Sequence, residues 1–94
     1  MFVVRETFTA KPGQASALAR QLKAAVSLNP VAKTRVLTDY IARFNTVVIE
    51  TEVEDLAVFD QQMAEYMSRA DIRAAMEGYA ERYLTGTREV YRVV

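Results

Sequence analysis

Phe2-Val3-Val4-Arg5-Glu6-Thr7-Phe8-Thr9-Ala10, closed by Lys11-Pro12-Gly13, decides the fold. The stretch is rich in β-branched and aromatic residues, and the Pro-Gly pair marks a turn. Side chains of a strand alternate between two faces. Phe2, Val4, Glu6 and Phe8 therefore share one face, while Val3, Arg5, Thr7 and Thr9 share the other. Three large apolar residues make the first set the core side. Glu6 points with them, so its carboxylate needs a partner or a job there.

The turn hands the chain to a helix expected over 12–28. Pro12 suits the first helical turn, where its missing N–H costs nothing. Ala15, Leu18, Ala19, Leu22, Ala25 and Val26 recur at spacings of three and four and form one apolar stripe. Asn29-Pro30 ends it, because proline disfavours the α conformation in the preceding residue. Residues 34–44 then read as a second strand, with Val36, Thr38, Tyr40, Ala42 and Phe44 on one face. Asn45 tolerates left-handed backbone and suits a turn into a third strand over 46–54.

Glu54-Asp55 puts acidic residues where a helix N-terminus favours them. Leu56, Phe59, Met63, Tyr66 and Met67 mark the apolar side of the helix that follows. Ser68-Arg69-Ala70-Asp71 interrupts it. A second helical piece, about 71–84, turns Ile72, Ala75, Met76, Tyr79 and Tyr83 inward, with Gly86 as the stop. Thr87–Val94 is the last strand. The order is β-α-β-β-α-β with the second helix split. This predicts a single α+β domain over 1–94, ferredoxin-like, with a four-stranded antiparallel sheet and helices on one face.

Composition narrows the chemistry. The 94 residues suffice for one core. Apolar types make up 51% of the chain and charged types 26%, which describes a globular protein with apolar surface to spare. Twelve basic residues balance twelve acidic ones, so the positive footprint of a nucleic-acid binder is missing. The chain contains neither histidine nor cysteine. The usual near-neutral acid–base group, the thiol nucleophile and the commonest transition-metal ligands are all absent. No metal and no cofactor are expected. No run of about 18 apolar residues suggests a membrane span, and the N-terminus has no charged-then-apolar signal pattern. A cytoplasmic protein is the expectation.

Helices in this topology cover one side of the sheet. The other side carries Val3, Arg5, Thr7 and Thr9 from the first strand, with Thr46, Val48, Glu50 and Glu52 from the third. Two readings fit. The face is wet, or it packs on a second copy in a symmetric dimer where Arg5 and Glu50 cross-pair.

The strand ending in Lys11-Pro12-Gly13, the Phe59-to-Met67 helix, the Arg69-Ala70-Asp71-Ile72-Arg73 break and the terminal Gly86-Thr87-Arg88-Glu89-Val90-Tyr91-Arg92-Val93-Val94 occur in an order and spacing that span the whole chain. Together they resemble the dimeric α/β barrel superfamily, which includes antibiotic-biosynthesis-monooxygenase-like and NIPSNAP-like domains and haem-degrading monooxygenases. The resemblance implies a homodimer formed through the open sheet face and a ligand cleft between sheet and helices. Haem-degrading members use an asparagine late in the first strand, a tryptophan on the second main helix and a histidine after the helix break. By position these map to Glu6, Tyr66 and Met76. All three differ from that pattern, and with no histidine the expected haem ligand is missing.

Glu6 is thus a candidate general base, since a carboxylate desolvated in an apolar cleft can exchange protons near neutral pH. Tyr66, or Tyr40 from the second strand, is a candidate hydrogen-bond donor to a substrate oxygen. Met76 and Phe59 are candidate lining residues for a small apolar or aromatic ligand. The plainer reading pairs Glu6 with Arg88 or Arg92 on the last strand and leaves the tyrosines and methionines as packing. The resemblance implies a cofactor-independent monooxygenase-like or isomerase-like enzyme acting on an aromatic or enolisable substrate. The alternative is a non-catalytic ligand-binding or structural dimer.

Overall fold

The computed structural model describes residues 1–29 and 33–94. Strand β1 (Phe2–Ala10) leads through a turn to helix α1 (Ala15–Ser27), then to β2 (Lys33–Thr38), β3 (Thr46–Val53), α2 (Leu56–Ser68), α3 (Ala70–Ala75) and β4 (Tyr83–Arg92). The strands form one antiparallel sheet in the order β2-β3-β1-β4. This is the α+β, ferredoxin-like arrangement, with the second helix broken in two.

The period-two pattern of β1 sets the core. Val4, Phe8 and Ala10 are buried on the helix side. Leu18 and Leu22 of α1 pack on Phe8, Ala10 and Val47 of β3, and both leucines are almost fully excluded from water. Each such leucine contributes roughly 1.5–3 kcal/mol through burial. Gln21, on the same helix, reaches away from the sheet. Its amide donates to the carbonyls of Ala75 (3.0 Å) and Glu77 (2.8 Å), so α1 holds the open end of α3.

Several boundaries differ from the expectation, each for a local reason. Gly13 adopts φ 81°, and the Gln14 N–H donates to the Lys11 carbonyl, so Pro12 and Gly13 form a turn before α1 rather than its first residues. Pro30 lies outside the described residues; α1 ends at Ser27. Strand β2 stops at Thr38 instead of running to 44. There the Asp39 carboxylate accepts from the Thr46 N–H (3.0 Å), the Thr46 hydroxyl donates to the Arg43 carbonyl (2.7 Å), and Asn45 turns left-handed at φ 62°. Those bonds make 39–45 a closed loop. Asp55 caps α2 by accepting from the Ala57 and Val58 N–H groups, the N-cap role that short acidic residues fill. At Arg69 (φ −70°, ψ 136°) the backbone leaves helical geometry, and α3 begins at the next residue.

Gly86 does not stop a helix. Gly78, at φ 77°, takes that position, followed by a short 3-10 turn over Tyr79–Glu81. Strand β4 therefore starts at Tyr83, four residues earlier than Thr87.

The face without helices is ordered in rows. The register sets Arg35 of β2, Glu50 of β3, Arg5 of β1 and Glu89 of β4 side by side across all four strands. Glu50 binds Arg5 (2.7 Å) and Arg35 (2.8 Å). The Arg5–Glu50 pair thus forms within one chain, because the two residues are register partners on neighbouring strands. Glu89 accepts from the Tyr91 hydroxyl, and the Arg5 guanidinium lies 5.3 Å from the centre of the Tyr91 ring.

Candidate functional site

A cleft of about 190 Å³ opens between the helix-facing side of the sheet and the helices. Its floor comes from β1 and β3, through Glu6, Phe8 and Ile49. Leu22 and Ala25 of α1 form one wall, and Phe59, Met63 and Tyr66 of α2 the other; Met76 and Tyr79 close the end. Helix α2 makes its main backbone contacts with α3 rather than with the sheet. The cleft fills the space that this leaves.

Glu6, Phe59, Tyr66 and Met76 all line this cleft. Tyr40 is not among its lining residues. Because β2 ends at Thr38, Tyr40 falls in the 39–45 loop, where it is 97% exposed.

Two charged residues line the cleft, Glu6 and Arg88, and they are register partners on β1 and β4. Arg88 Nη2 lies 3.5 Å from Glu6 Oε2, a loose ion pair with the guanidinium 60% exposed and the carboxylate 23% exposed. Arg92, the other partner considered for Glu6, instead lies over the Phe2 ring, 5.8 Å from its centre. The hydroxyls of Thr34 and Thr51 share a hydrogen bond of 3.1 Å elsewhere in the cleft lining.

Tyr66 is 9% exposed, and among the described residues its hydroxyl is buried without a hydrogen-bond partner. Burial pushes its pKa up, the Arg69 charge opposes this, and Asp71 adds to it. Tyr66 therefore stays a neutral phenol with a proton to donate. Tyr79 is also raised, first by burial and then by Tyr83 and the Glu6 charge. The arrangement offers one carboxylate beside a cation, one unused donor and mainly apolar walls, with Asn29, Thr34 and Thr51 as further polar residues. Three methionines, Met63, Met67 and Met76, give those walls a polarisable and adaptable surface. Among the described residues, no cluster of three or more acidic side chains suited to a metal is found. No helix among them is long and apolar enough to cross a membrane.

Sequence parity put Glu6 on the covered side, and helical spacing did the same for Phe59, Tyr66 and Met76. Asn29 and Thr34 also line the cleft; neither stood out in the sequence, although Thr34 shares the strand face of Val36.

Sheet, split helix and cleft together define an α+β protein of the ferredoxin-like class. The chain has the fold of NIPSNAP domain proteins and of antibiotic-biosynthesis-monooxygenase-like proteins. An uncharacterized NIPSNAP domain protein from Burkholderia xenovorans superposes with a TM-score of 0.85 at 13% identity, covering 100% of this chain and 95% of the other. A NIPSNAP family protein from Agrobacterium tumefaciens gives 0.85 at 7% identity, with 99% and 92% covered. An antibiotic biosynthesis monooxygenase gives 0.73 at 15% identity, with 100% and 99% covered. At these identities the likeness is one of fold. No family model matches the chain, and no curated protein matches it.

Proposed function

We propose that the cleft binds a small, largely apolar, aromatic or enolisable compound, and that Glu6 removes a proton from it. This makes the chain a cofactor-independent monooxygenase-like or isomerase-like enzyme. The observation that carries this reading is the Tyr66 hydroxyl, a buried donor with no partner among the described residues, on a residue that lines a mainly apolar cleft. A hydroxyl left unpaired in a protein interior costs roughly 1–3 kcal/mol, and a ligand oxygen removes that cost. In this mechanism the Glu6 carboxylate takes the proton, the electron pair spreads onto the substrate oxygen, and Tyr66 donates to the developing oxyanion. Returning the proton at another carbon gives an isomerase; passing the enolate to dioxygen gives an oxygenase. The open cleft supports a ligand site over a purely structural role, in which Phe59, Met63, Tyr66 and Met76 would fill the space.

The second reading, a non-catalytic binding protein, is favoured by the Glu6–Arg88 pair, which gives the carboxylate a structural role. Both readings take the functional unit to be a homodimer joined through the open sheet face. The two are separated by screening phenolic, quinone-like and enolisable compounds for binding and turnover with wild type, Tyr66→Phe and Glu6→Gln. The enzymatic reading expects Tyr66→Phe to weaken binding and Glu6→Gln to abolish turnover while binding persists. Binding with no turnover in wild type would leave the binding protein, and no binding at all would sink both.

A further inference from the structure

We infer that the cleft takes a monocarboxylate, and that Arg88 holds the ligand's carboxylate by exchanging Glu6 for it. This rests on the cleft being a ligand site, as proposed above, and names the chemical class of that ligand. The register sets Arg88 opposite Glu6 on the helix side of the sheet, between Gly86 and Val90 of the same strand face. The pairing also fixes what else that side carries. Strand β3 presents Val47, Ile49, Thr51 and Val53 there, and β2 presents only threonine and valine, so neither adds a charge. Within the four strands, the charged residues of the helix side are Glu6, Arg88 and Arg92. One carboxylate thus stands against two guanidiniums. Arg92 lies over the Phe2 ring and does not line the cleft, which leaves Arg88 as its cation. An anion entering the cleft supplies the missing negative charge.

The contact between Glu6 and Arg88 is loose beside the other arginine pairs among the described residues. Arg5–Glu50, Arg35–Glu50 and Arg69–Asp71 close to 2.7, 2.8 and 2.7 Å, whereas Arg88 and Glu6 stay 3.5 Å apart. Charge-assisted N–H···O bonds settle at about 2.7–2.9 Å, so neither group uses up the bonding capacity of the other. The half-open guanidinium is accessible to an incoming anion. A guanidinium gives a carboxylate two parallel N–H bonds, and one guanidinium balances one negative charge. A monoanionic carboxylate fits that arrangement better than a doubly charged phosphate. Phe8, Leu22, Ile49, Phe59 and Met63 supply the apolar surface for the rest of the ligand. The exchange also bears on Glu6. Once Arg88 turns to the ligand, the Glu6 carboxylate is released from its cation and is open to accept a proton. The structural pair and the proton-accepting carboxylate are then two states of the same residue.

The test compares 2-naphthoate with its neutral isostere 2-naphthamide by titration calorimetry. Wild type, Arg88→Gln, Arg88→Lys and Glu6→Gln are used, each checked for folding by circular dichroism. Wild type should bind the acid roughly tenfold tighter than the amide, the worth of one hydrogen bond to a charged group. That advantage should shrink as salt is added. Arg88→Gln should remove it, and Arg88→Lys should keep part of it. Glu6→Gln should tighten the acid and leave the amide unchanged, because the competing carboxylate is gone. An acid bound no tighter than the amide by wild type, or a preference that survives Arg88→Gln, overturns the proposal, while binding of the amide still upholds the ligand site. Binding of neither compound removes the ligand reading and the proposal together. If Arg88→Gln misfolds, Glu6→Gln decides: an acid affinity equal to that of wild type overturns the exchange.

Discussion

Gly86 lies opposite Phe8 in the β1–β4 register, and a Cβ at Gly86 would stand 3.3 Å from the phenyl Cδ1 and 3.4 Å from Cε1. The ring is held from another side by Tyr83, at a centroid separation of 4.9 Å. Phe8 therefore lies over a position that only a residue without a side chain leaves free. Gly86→Val should cost about 1–3 kcal/mol through overpacking. Gly86→Ala should cost less, because a few tenths of an ångström of ring movement suffice and the chain loses less entropy on folding. Urea denaturation of the two variants checks the order; equal stabilities would show that the ring moves freely.

Glu50 gives the fold an acid-sensitive point. Its pKa is lowered, first by the hydrogen bond from Arg35 and also by Arg5, against the opposing effect of burial. A carboxyl depressed in the folded state contributes stability above its unfolded pKa and loses it as pH falls through the folded value. Wild-type stability should therefore fall below about pH 4.5, the ordinary glutamate range. Glu50→Gln should be less stable near neutral pH by about 1–2 kcal/mol, discounted for the exposure of Arg35. The gap between the two proteins should close on acidification, as thermal melts from pH 7 to 3 would record. A gap that stays constant would place the cost in packing instead.

Tyr66→Phe should leave the ligand-free protein as stable as wild type or up to about 1 kcal/mol more stable, because it deletes a buried hydroxyl without a partner. The same change should weaken ligand binding. In wild type, the burial that raises the Tyr66 pKa should make its phenolate absorbance appear late when a titration is followed upward from pH 9. Because the buried phenol resists ionisation, stability is unaffected by this group below about pH 10 and falls as pH rises from there through the folded value. A clearly destabilised Tyr66→Phe would show that the hydroxyl has a partner, such as a bound water.

Glu6→Gln should separate chemistry from folding. The pair with Arg88 is loose and largely exposed on the arginine side, so its loss should change stability by less than about 1 kcal/mol. Under the enzymatic reading, turnover should fall by about 10²–10⁴, the usual worth of a general base. Equal losses in stability and turnover would make the residue structural.

The fold was legible wherever one physical rule acted alone. Alternation in β1 placed Glu6 among Phe2, Val4 and Phe8, and the three–four spacing in α1 placed Leu18 and Leu22 in the core. The boundaries were harder where rules compete. Val36-Leu37-Thr38-Asp39-Tyr40-Ile41 alternates well enough for a strand, but Asp39 bonds the Thr46 backbone and closes a loop. This moves Tyr40 out of the cleft and produces an exposed apolar loop that strand parity could not show. Glycine's ease in left-handed backbone suggests a helix stop at Gly86, whereas its actual use is the space it leaves for Phe8. One of the two readings of the open face pairs Arg5 and Glu50 between copies, and the register also makes them bonded neighbours within one chain. Within the cleft, parity identified the residues that face it, but the vacant bonding capacity of Tyr66 depends on packing that no local pattern encodes.

The position of α2 has a thermodynamic consequence. Helix α1 is bound to the sheet through Leu18 and Leu22 and to α3 through Gln21, whereas α2 is capped by Asp55, meets α3 at Arg69 and stands off the strands. Local opening should cost less there than in α1, and amide hydrogen exchange should show α2 losing protection first. Equal protection in the two helices would show a stiff wall. With a soft wall, the depth of the cleft is a variable that the protein sets by tilting one helix. For the ligand-binding reading proposed above, selectivity for ligand size would then depend on the elasticity of that helix more than on the fixed dimensions of the sheet.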